Sequence, residues 1–409
     1  MPLIFRLILL FSALFIQVQA QDIIDDPEQR YHFFMQKAKG FYFQKNPNYK
    51  EAIKYYKKAM AIDSTQADLH YFLAHAYDRL NAKDGNFIPT MQDELVQRAS
   101  DALNRCLAIN PIYMGEKLVL DPYSKLSSVW GSLGLKYLAL GKLDTVKAVL
   151  EAGKSQGAFP DALLEYHRQA LKQLPDDAVL LSSGDNMTYP LLYVQAVENV
   201  RPDVAVVDVN LLNADWYPLV IKKLYPDLLS QPEEQIQNTR AQFWTKKKQY
   251  LEFYEPVEEP QPPTLSSGFF GIGRVDSTDI EDWYEYGYDE DYEEPELLFE
   301  FSWDLKPTIY NDSAGYLLRG DRILLLILGN ALYDRPFCHT LGFMDNKRLS
   351  LDEHFIPEGL YYRFTFTPTD LKTQREFRKN AFKNMMDVGV NELETLPVQH
   401  SEDLVRLLN

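Results

Sequence analysis

The sequence has only two cysteines among its 409 residues, Cys106 and Cys338. So few cysteines exclude the class of small exported domains that disulfide bonds hold together. The two residues lie far apart in the sequence and in different predicted domains, whereas a disulfide requires α-carbons within about 7 Å of each other. We therefore predict two free thiols that are buried and pack as small apolar residues.

Positive charge is scarce as well. The chain carries 42 Lys and Arg against 59 Asp and Glu, which gives a formal net charge of −17 and a pI near 4.9. Nucleic-acid binding depends on Lys and Arg that displace counterions from phosphates, so this composition excludes a nucleic-acid partner. Hydrophobic residues make up 46% of the chain, enough to bury a core. At roughly 150 residues per domain we expect two or three domains.

Long hydrophobic runs are missing from the chain after residue 20. The longest apolar stretch in that part covers only 323–328. A membrane span needs roughly 18 residues, so we expect none after cleavage of the leader. In the leader, Arg6 precedes an apolar run over 7–16 and Ala20 closes the segment, which is typical of a cleavable signal peptide. An uncleaved anchor is the alternative. We expect an exported protein in the periplasm or cell envelope, without a lipid anchor because the residue directly after the cut is Gln21 rather than cysteine.

A pattern of small and aromatic residues recurs through residues 21–158. The second copy follows the first after 34 residues, and the third contains a complete W-x2-L-G-x2-Y pattern that begins at Trp130. The pattern residues are Gly40, Phe43, Ala52, Tyr56, Ala59, Ala74, Tyr77, Trp130, Leu133, Gly134 and Tyr137. Period and pattern resemble the tetratricopeptide repeat, and we predict a short α-solenoid of three helical pairs, with an insertion around 81–92.

The resemblance to tetratricopeptide repeats implies a protein partner, because stacked helical pairs leave a concave surface that proteins bind. An irregular helical bundle with chance spacing is the alternative. A helix near 160–174 is expected to act as a linker over 159–175, before the pattern changes at Pro175.

The predicted second domain covers 176–368 and belongs to the α/β class. A buried strand over 177–183, a helix over 189–199 and a second strand over 204–210 predict a parallel pair with a crossover helix. Further strands near 297–303, 335–341 and 359–366 and a helix over 321–333 complete a three-layer, Rossmann-like domain. The C-terminal tail, 369–409, is expected to be helical.

Residues 251–296 are predicted to form an insertion with little regular structure. Four prolines lie between positions 256 and 263, and residues 276–296 hold eleven acidic side chains and five aromatic ones without any Lys or Arg. Such a run repels itself when packed, which favours a solvated segment. Cation binding is the alternative, although the spacing of calcium ligands is missing.

The turn after the first predicted strand, within residues 182–193, is the sharpest local feature. Gly184 permits a tight turn, Asp185, Asn186 and Thr188 are able to cap the first helical amides, and Pro190 suits a first turn. These residues therefore have a purely structural interpretation. Ligands of open α/β sheets, however, bind beyond the carboxyl ends of the strands, where this turn lies, so Asp185 is also a candidate to bind a sugar hydroxyl or a cation.

Residues 184–217 resemble a signature, close to G-D-N-D-T-F-P-L-W-Y followed by R-x-D-V and S-L-L-N-T-D-W-Y, of bacterial membrane glycosyltransferases related to protein O-mannosyltransferases. Further matches at 299–303, 322–337 and 358–364 extend the resemblance over the water-soluble C-terminal part of that family. The membrane half that carries the family's catalytic acids has no counterpart here, and Met187 replaces the second acidic residue. The matching positions are Gly184, Asp185, Asn186, Thr188, Pro190, Arg201, Asp203, Asn213, Asp215, Trp216, Arg335 and Pro336.

From this resemblance we select a set of candidate ligand-binding residues. They are Gly184, Asp185, Asn186, Thr188, Asp215, Trp216 and Arg335. No catalytic residue, metal site or cofactor is predicted: the glycine-rich 268–274 lacks a flanking strand and helix to aim amides at a phosphate, and adjacent Asp352, Glu353 and His354 project in different directions.

The sequence thus predicts an exported, non-catalytic scaffold or accessory protein. Its repeats would hold a protein partner, and its α/β domain would dock a glycan or a membrane glycosyltransferase. An enzyme that processes a glycan or glycoconjugate, with Asp185 at its site, is the alternative.

Overall fold

The computed structural model describes residues 26–244, 248–254, 297–311, 314–341, 343, 347–369 and 373. The predicted signal peptide, the glycine-rich 268–274, the acidic 276–296 and the C-terminal tail beyond Thr373 lie outside these residues. The chain divides into two compact units, and the boundary between them follows Pro160.

The first unit is a succession of helical pairs. Its helices are α1 (Pro27–Phe43), α2 (Tyr49–Met60), α3 (Ala67–Asn81), α4 (Asp93–Ile109), α5 (Pro122–Ala139) and α6 (Leu143–Ser155). Helix α1 packs against α2, α3 against α4 and α5 against α6, while α2 also contacts α3 and α4 contacts α5. The array is therefore the tetratricopeptide-like stack of three pairs that the 34-residue period predicts.

Side-chain caps place several of these helix starts. The carboxylate of Asp26 accepts the amide of Glu28, and Asp121 accepts the amides of Tyr123 and Ser124 before a proline in the first helical position. In the second pair the expected insertion forms a 3₁₀ turn, Gly85–Thr90.

Trp130 shows why small residues recur in the array. Its indole is 6% exposed and its Nε1 donates to the Ser100 hydroxyl at 3.0 Å, which ties α5 to α4. A β-carbon added to Gly153 of α6 would lie 2.7 Å from the side chain of Trp130, so only glycine lets these helices approach so closely.

The second unit is built around a five-stranded sheet in the order β2-β1-β8-β10-β9. Its strands are β1 (Val179–Ser182), β2 (Ala205–Asp208), β8 (Phe337–Thr340), β9 (Phe355–Glu358) and β10 (Tyr361–Phe364). Strand β1 pairs in parallel with β2 and with β8, whereas β10 is antiparallel to both β8 and β9. The sheet is thus mixed, with a parallel half made by the strands that the sequence predicts as buried.

The described part of the second unit contains five α-helices. They are α7 (Asp161–Gln173), α8 (Asp185–Ala196), α9 (Tyr217–Leu224), α10 (Glu233–Asn238) and α11 (Arg319–Asp334). Helix α7, expected as a linker, packs against α8 and is part of this unit. Helix α11 is buried along most of its length and packs into a core with β1, β2 and β8.

Two smaller sheets complete the described part of this unit. One has the order β3-β7-β6, from Gln242–Phe243, Ala314–Leu317 and Ile309–Asn311, and the other pairs β4 (Lys248–Tyr254) with β5 (Leu297–Asp304). The prediction of little regular structure from position 251 is therefore wrong for 251–254. Leu251 is 3% exposed and pairs with Phe301, so the start of the predicted insertion contributes to the core.

Candidate functional site

The predicted turn lies at the carboxyl edge of the parallel strands. Strand β1 ends at Ser182, beside the last residue of β2, Asp208, and α8 begins after Gly184. The chain reaches β2 on one side of β1 and, much later, β8 on the other side. This reversal of direction is the place where open α/β sheets bind their ligands.

Asp208 is the central group of this edge, and the sequence analysis did not select it. Its Oδ2 accepts the Thr188 hydroxyl at 2.5 Å, and its Oδ1 accepts the amides of Asn210 and Leu211 at 2.8 and 3.1 Å. The Ser182 hydroxyl lies 2.8 Å from that of Thr188. Since Thr188 has a single hydroxyl hydrogen and donates it to Asp208, Ser182 must be the donor to Thr188.

This hydrogen-bond network is closed to solvent. Asp208 and Thr188 are each 3% exposed and Ser182 is fully buried. Burial raises the pKa of Asp208, while the bonds from Thr188 and the two amides oppose the shift and the nearby charge of Asp185 adds to it. The backbone amide of Asp208 also donates to the Tyr217 hydroxyl at 3.0 Å, which joins α9 to the same edge.

The turn itself differs in detail from the prediction. Gly184 is the N-cap of α8, with a φ of 91° that favours glycine, and its carbonyl accepts the amides of Met187 and Thr188. Thr188 does not cap the helix, because its hydroxyl is directed to Asp208. Pro190 lies in the second turn of α8 rather than the first, where its ring removes one helical hydrogen bond.

Gly184, Asp185 and Asn186 are half-buried, whereas Thr188 and Pro190 are buried. Within the described part of the chain, the Asp185 carboxylate accepts no hydrogen bond. At the same edge, the side-chain amide of Asn210, two residues after β2, donates to the Ser183 hydroxyl, directly after β1, at 3.0 Å. A carboxylate in this position is able to accept hydroxyl hydrogens from a ligand.

Asp215 and Trp216 lie in the segment between β2 and α9. The Arg319 guanidinium fixes this segment: Nη1 donates to the carbonyls of Leu212 and Ala214, both at 2.8 Å, and Nε lies 3.9 Å from the Asp215 carboxylate. Arg319 is 7% exposed. The backbone of this segment thus holds the buried arginine, whereas the Asp215 side chain is 80% exposed.

Arg335 is not part of this edge. It directly precedes Pro336, whose carbonyl accepts the amide of Val179 at the start of β1, so Arg335 lies at the amino ends of the parallel strands. Its guanidinium pairs with Asp227 at 2.6 Å. The predicted set is thus divided between the two edges of the sheet.

Two further matched residues, Arg201 and Asp203, belong to the amino edge. Arg201 Nη2 lies 2.7 Å from the Asp203 carboxylate, and the same guanidinium donates to the carbonyls of Leu174 and Pro175, both at 2.7 Å. The hydrogen bonds from Arg201 lower the pKa of Asp203 to about 2. This cluster fastens the chain between α7 and β1 to the start of β2.

Among the other side chains able to take part in chemistry, the two cysteines and His339 are buried. Both cysteines are free and buried, as predicted. His339 in β8 is fully buried between the rings of Phe343, Phe355 and Tyr362, and burial lowers its pKa to about 3. Within the described ranges, no three His, Cys, Asp or Glu side chains come together in a group able to hold a metal ion.

One feature of the sequence could have identified Asp208 as part of this edge. It stands at the end of the second predicted strand, and the carboxyl ends of neighbouring parallel strands meet at one edge. This edge thus has one buried carboxylate, Asp208, whose oxygens accept hydrogen bonds from its own chain, and one half-buried carboxylate, Asp185.

Comparison with known proteins relates the second unit to one family. Residues 164–291 match a family model described as TMEM260-associated domain 2. A stretch of 53 residues is 36% identical to the protein O-mannosyl-transferase TMEM260 of Mus musculus. That stretch is 13% of this chain and spans only 8% of the mouse protein.

Two solved structures resemble the chain weakly. The crystal structure of MamA shares 20% identity over 44% of this chain and 82% of MamA, with a TM-score of 0.21. A structure of Pseudomonas aeruginosa pilF shares 19% identity over 52% of this chain and 98% of that protein, with a TM-score of 0.18. Both scores are too low to establish a shared fold. Among the described helices, none combines the length and apolar character that crossing a bilayer requires.

Proposed function

We propose that this protein is an exported scaffold or accessory protein of the cell envelope, which binds a protein partner through its repeats and carries a non-catalytic α/β unit. The observation that carries the proposal is the closed network of Ser182, Thr188 and Asp208. The turn that resembles the glycosyltransferase signature serves here to join α8 to the end of β2.

An acid that takes part in catalysis must reach a substrate in a cleft with other polar groups around it. Asp208 is 3% exposed and both of its oxygens accept donors from its own chain. Asp185 is more accessible, but the signature's second acid is Met187 here, and that side chain is 3% exposed. The edge is therefore suited to stabilise a fold and to hold a partner rather than to turn over a substrate.

The α/β unit is proposed to be Rossmann-like, with helices on both faces of its sheet, and to dock a glycan or a membrane glycosyltransferase. The match to a TMEM260-associated domain supports this assignment, since the name of the mouse relative refers to protein O-mannosyl transfer. Export through cleavage after Ala20 is the matching proposal for location, and no cofactor is required.

Site-specific photo-crosslinking in intact cells tests the scaffold proposal. A photoreactive amino acid is placed in the full-length chain at two repeat positions, the half-buried Gln97 and the exposed Lys147, and in the turn at Asp185. Crosslinks from the repeat positions to one defined envelope protein, identified by mass spectrometry, are expected. Crosslinks to glycoconjugates only from position 185 would contradict a repeat-mediated scaffold.

The second candidate function is an enzyme that acts on a glycan or glycoconjugate at Asp185. It is favoured by one observation, the half-buried carboxylate of Asp185 at the reversal point of the sheet. Incubating the purified chain with envelope glycans tests it. Product formation that Asp185→Ala abolishes without unfolding would establish an enzyme.

A further inference from the structure

Among the residues that the structure describes, none covers one face of α1 in the first repeat. A shallow groove along this helix is lined by Phe33, Gln36, Lys37, Gly40, Phe41 and Gln44. The side chain of Phe33 is 48% exposed and that of Phe43, at the end of the same helix, is 54% exposed. A β-carbon added to Gly40 would meet no atom within 4 Å.

The corresponding positions of the second repeat are covered. Ala74 and Tyr77, which follow Gly40 and Phe43 after 34 residues, are 0% and 6% exposed. They lie on α3, which contacts α2 of the preceding pair, and α5 contacts α4 in the same way. Lys57 of the preceding α2 lies 5.8 Å from the centre of the Tyr77 ring, although α3 also packs against α4 of its own pair. Among the described helices α1 is the first of the array, whereas α3 and α5 each contact the helix before them, so a helix is a shape that fits the open face of α1.

The positive charge of the first repeat indicates that a helix bound to α1 would be acidic. Residues 26–60 contain eight Lys and Arg against three Asp and Glu, a net charge of +5 in a chain whose net charge is −17. Lys37 on the groove is exposed, and its ammonium lies 5.6 Å from the centre of the Phe33 ring. An occupant needs apolar residues toward Phe33 and Gly40 and an acidic residue toward Lys37, which lines the groove.

We propose that an acidic amphipathic helix of a partner protein stacks on the uncovered face of α1 and extends the helical array by one layer. This deepens the proposed scaffold function and rests on it. Two interactions provide the recognition. Apolar residues of the partner helix are buried along the groove, and an acidic residue of that helix is attracted to Lys37. The partner helix would pack on α1 in the way that α2 packs on α3.

A peptide-binding measurement on the full-length protein tests this. The probe is a fluorescent helical peptide of about 18 residues, five turns, with leucine along one face and glutamate elsewhere. Its partner probe replaces every glutamate with lysine. We expect the acidic peptide to bind at least about tenfold more tightly, with an affinity that falls as NaCl rises from about 0.05 to about 0.5 M.

Three variants locate the contact. Gly40→Leu fills space that is open in this chain and improves helix propensity, so it should leave the melting temperature equal or higher while blocking the peptide. Lys37→Glu should weaken binding about tenfold. Lys147→Glu, the same charge change at an exposed position of α6, should weaken it by less than about twofold.

Several outcomes would overturn the inference. They are equal binding of the two peptides, no binding of the acidic peptide, or equal effects of the substitutions at Lys37 and Lys147. A dimer that Gly40→Leu disrupts would assign the face to a second copy. A photo-crosslink from position 36 to residues 370–409 of the same chain would assign it to the protein's own tail. If envelope crosslinks from Gln97 and Lys147 persist in any of these cases, the scaffold function stands and only this partner class is lost.

Discussion

The two edges of the parallel strands each contain an aspartate, and the pKa values of these two aspartates are shifted in opposite directions. At the carboxyl edge Asp208 is buried, and burial raises its pKa. At the amino edge Asp203 contacts the Arg201 guanidinium, which lowers its pKa to about 2. Residues that match the glycosyltransferase signature occupy both edges, so most of that signature describes how the unit is held together.

The largest expected effect belongs to Asp208→Ala. This change leaves the Thr188 hydroxyl and the amides of Asn210 and Leu211 without an acceptor in a buried place, and we expect it to reduce the free energy of unfolding by about 3 kcal/mol. Urea unfolding measures it. The control is Asp227→Ala at the amino edge, whose exposed pairing with Arg335 should contribute less than about 1 kcal/mol. Equal losses would remove the distinction between the edges.

Next in size is Arg201→Ala. The guanidinium loses Asp203 and the carbonyls of Leu174 and Pro175 at once, for an expected loss of about 2 kcal/mol. Arg98→Ala, which breaks an exposed pair with Glu94 on α4, should cost less than about 0.5 kcal/mol. A comparable result for the two arginines would show that the amino-edge cluster adds no stability.

Asp203→Asn and Asp208→Asn test the opposite pKa shifts, because the two aspartates should contribute to stability over different pH ranges. The folded-state pKa of Asp203 lies below its ordinary value, so its contribution is present above about pH 4 and is lost as the pH falls toward 2. The folded-state pKa of Asp208 is raised, so its contribution is present below that ordinary value and is lost as the pH rises through the folded-state pKa.

Urea unfolding at about pH 2.5 and pH 6 separates the two. Asp203→Asn should cost about 1 kcal/mol at pH 6 and less at pH 2.5. Asp208→Asn should show the opposite trend, with the larger cost relative to the unchanged chain at pH 2.5. The same trend in both variants would contradict the assigned pKa directions.

Most helices and strands were predictable because each has a clear pattern of hydrophobic residues. The paired helices follow from the spacing of small and aromatic residues, and the strands ending at Ser182 and Asp208 follow from continuous apolar runs. The pairing of β4 with β5 was not predictable. More than 40 positions separate them, many of them proline or acidic, and local sequence carries no signal for a partner so far away.

The site was predicted only in part, for a similar reason. Sequence order gives the turn around Gly184, but it does not give the lateral neighbours of a strand, which decide that Thr188 bonds to Asp208 rather than to its own helix. Arg335 matched a signature that does not encode which edge of the sheet a residue occupies. Its position follows only from the parallel pairing of β8 with β1.

Asp185→Ala is the smallest change in stability and the most direct test of what the carboxyl edge does. Asp185 lies in the first turn of α8, where a negative charge interacts favourably with the helix dipole, so the free energy of unfolding should fall by only about 0.5 kcal/mol. Partner crosslinking from the repeats should be unchanged, which native mass spectrometry and crosslink yield can measure. If the variant keeps its stability but loses a measurable conversion of glycan, the two edges differ in function as well as in electrostatics, and the carboxyl edge is an active site.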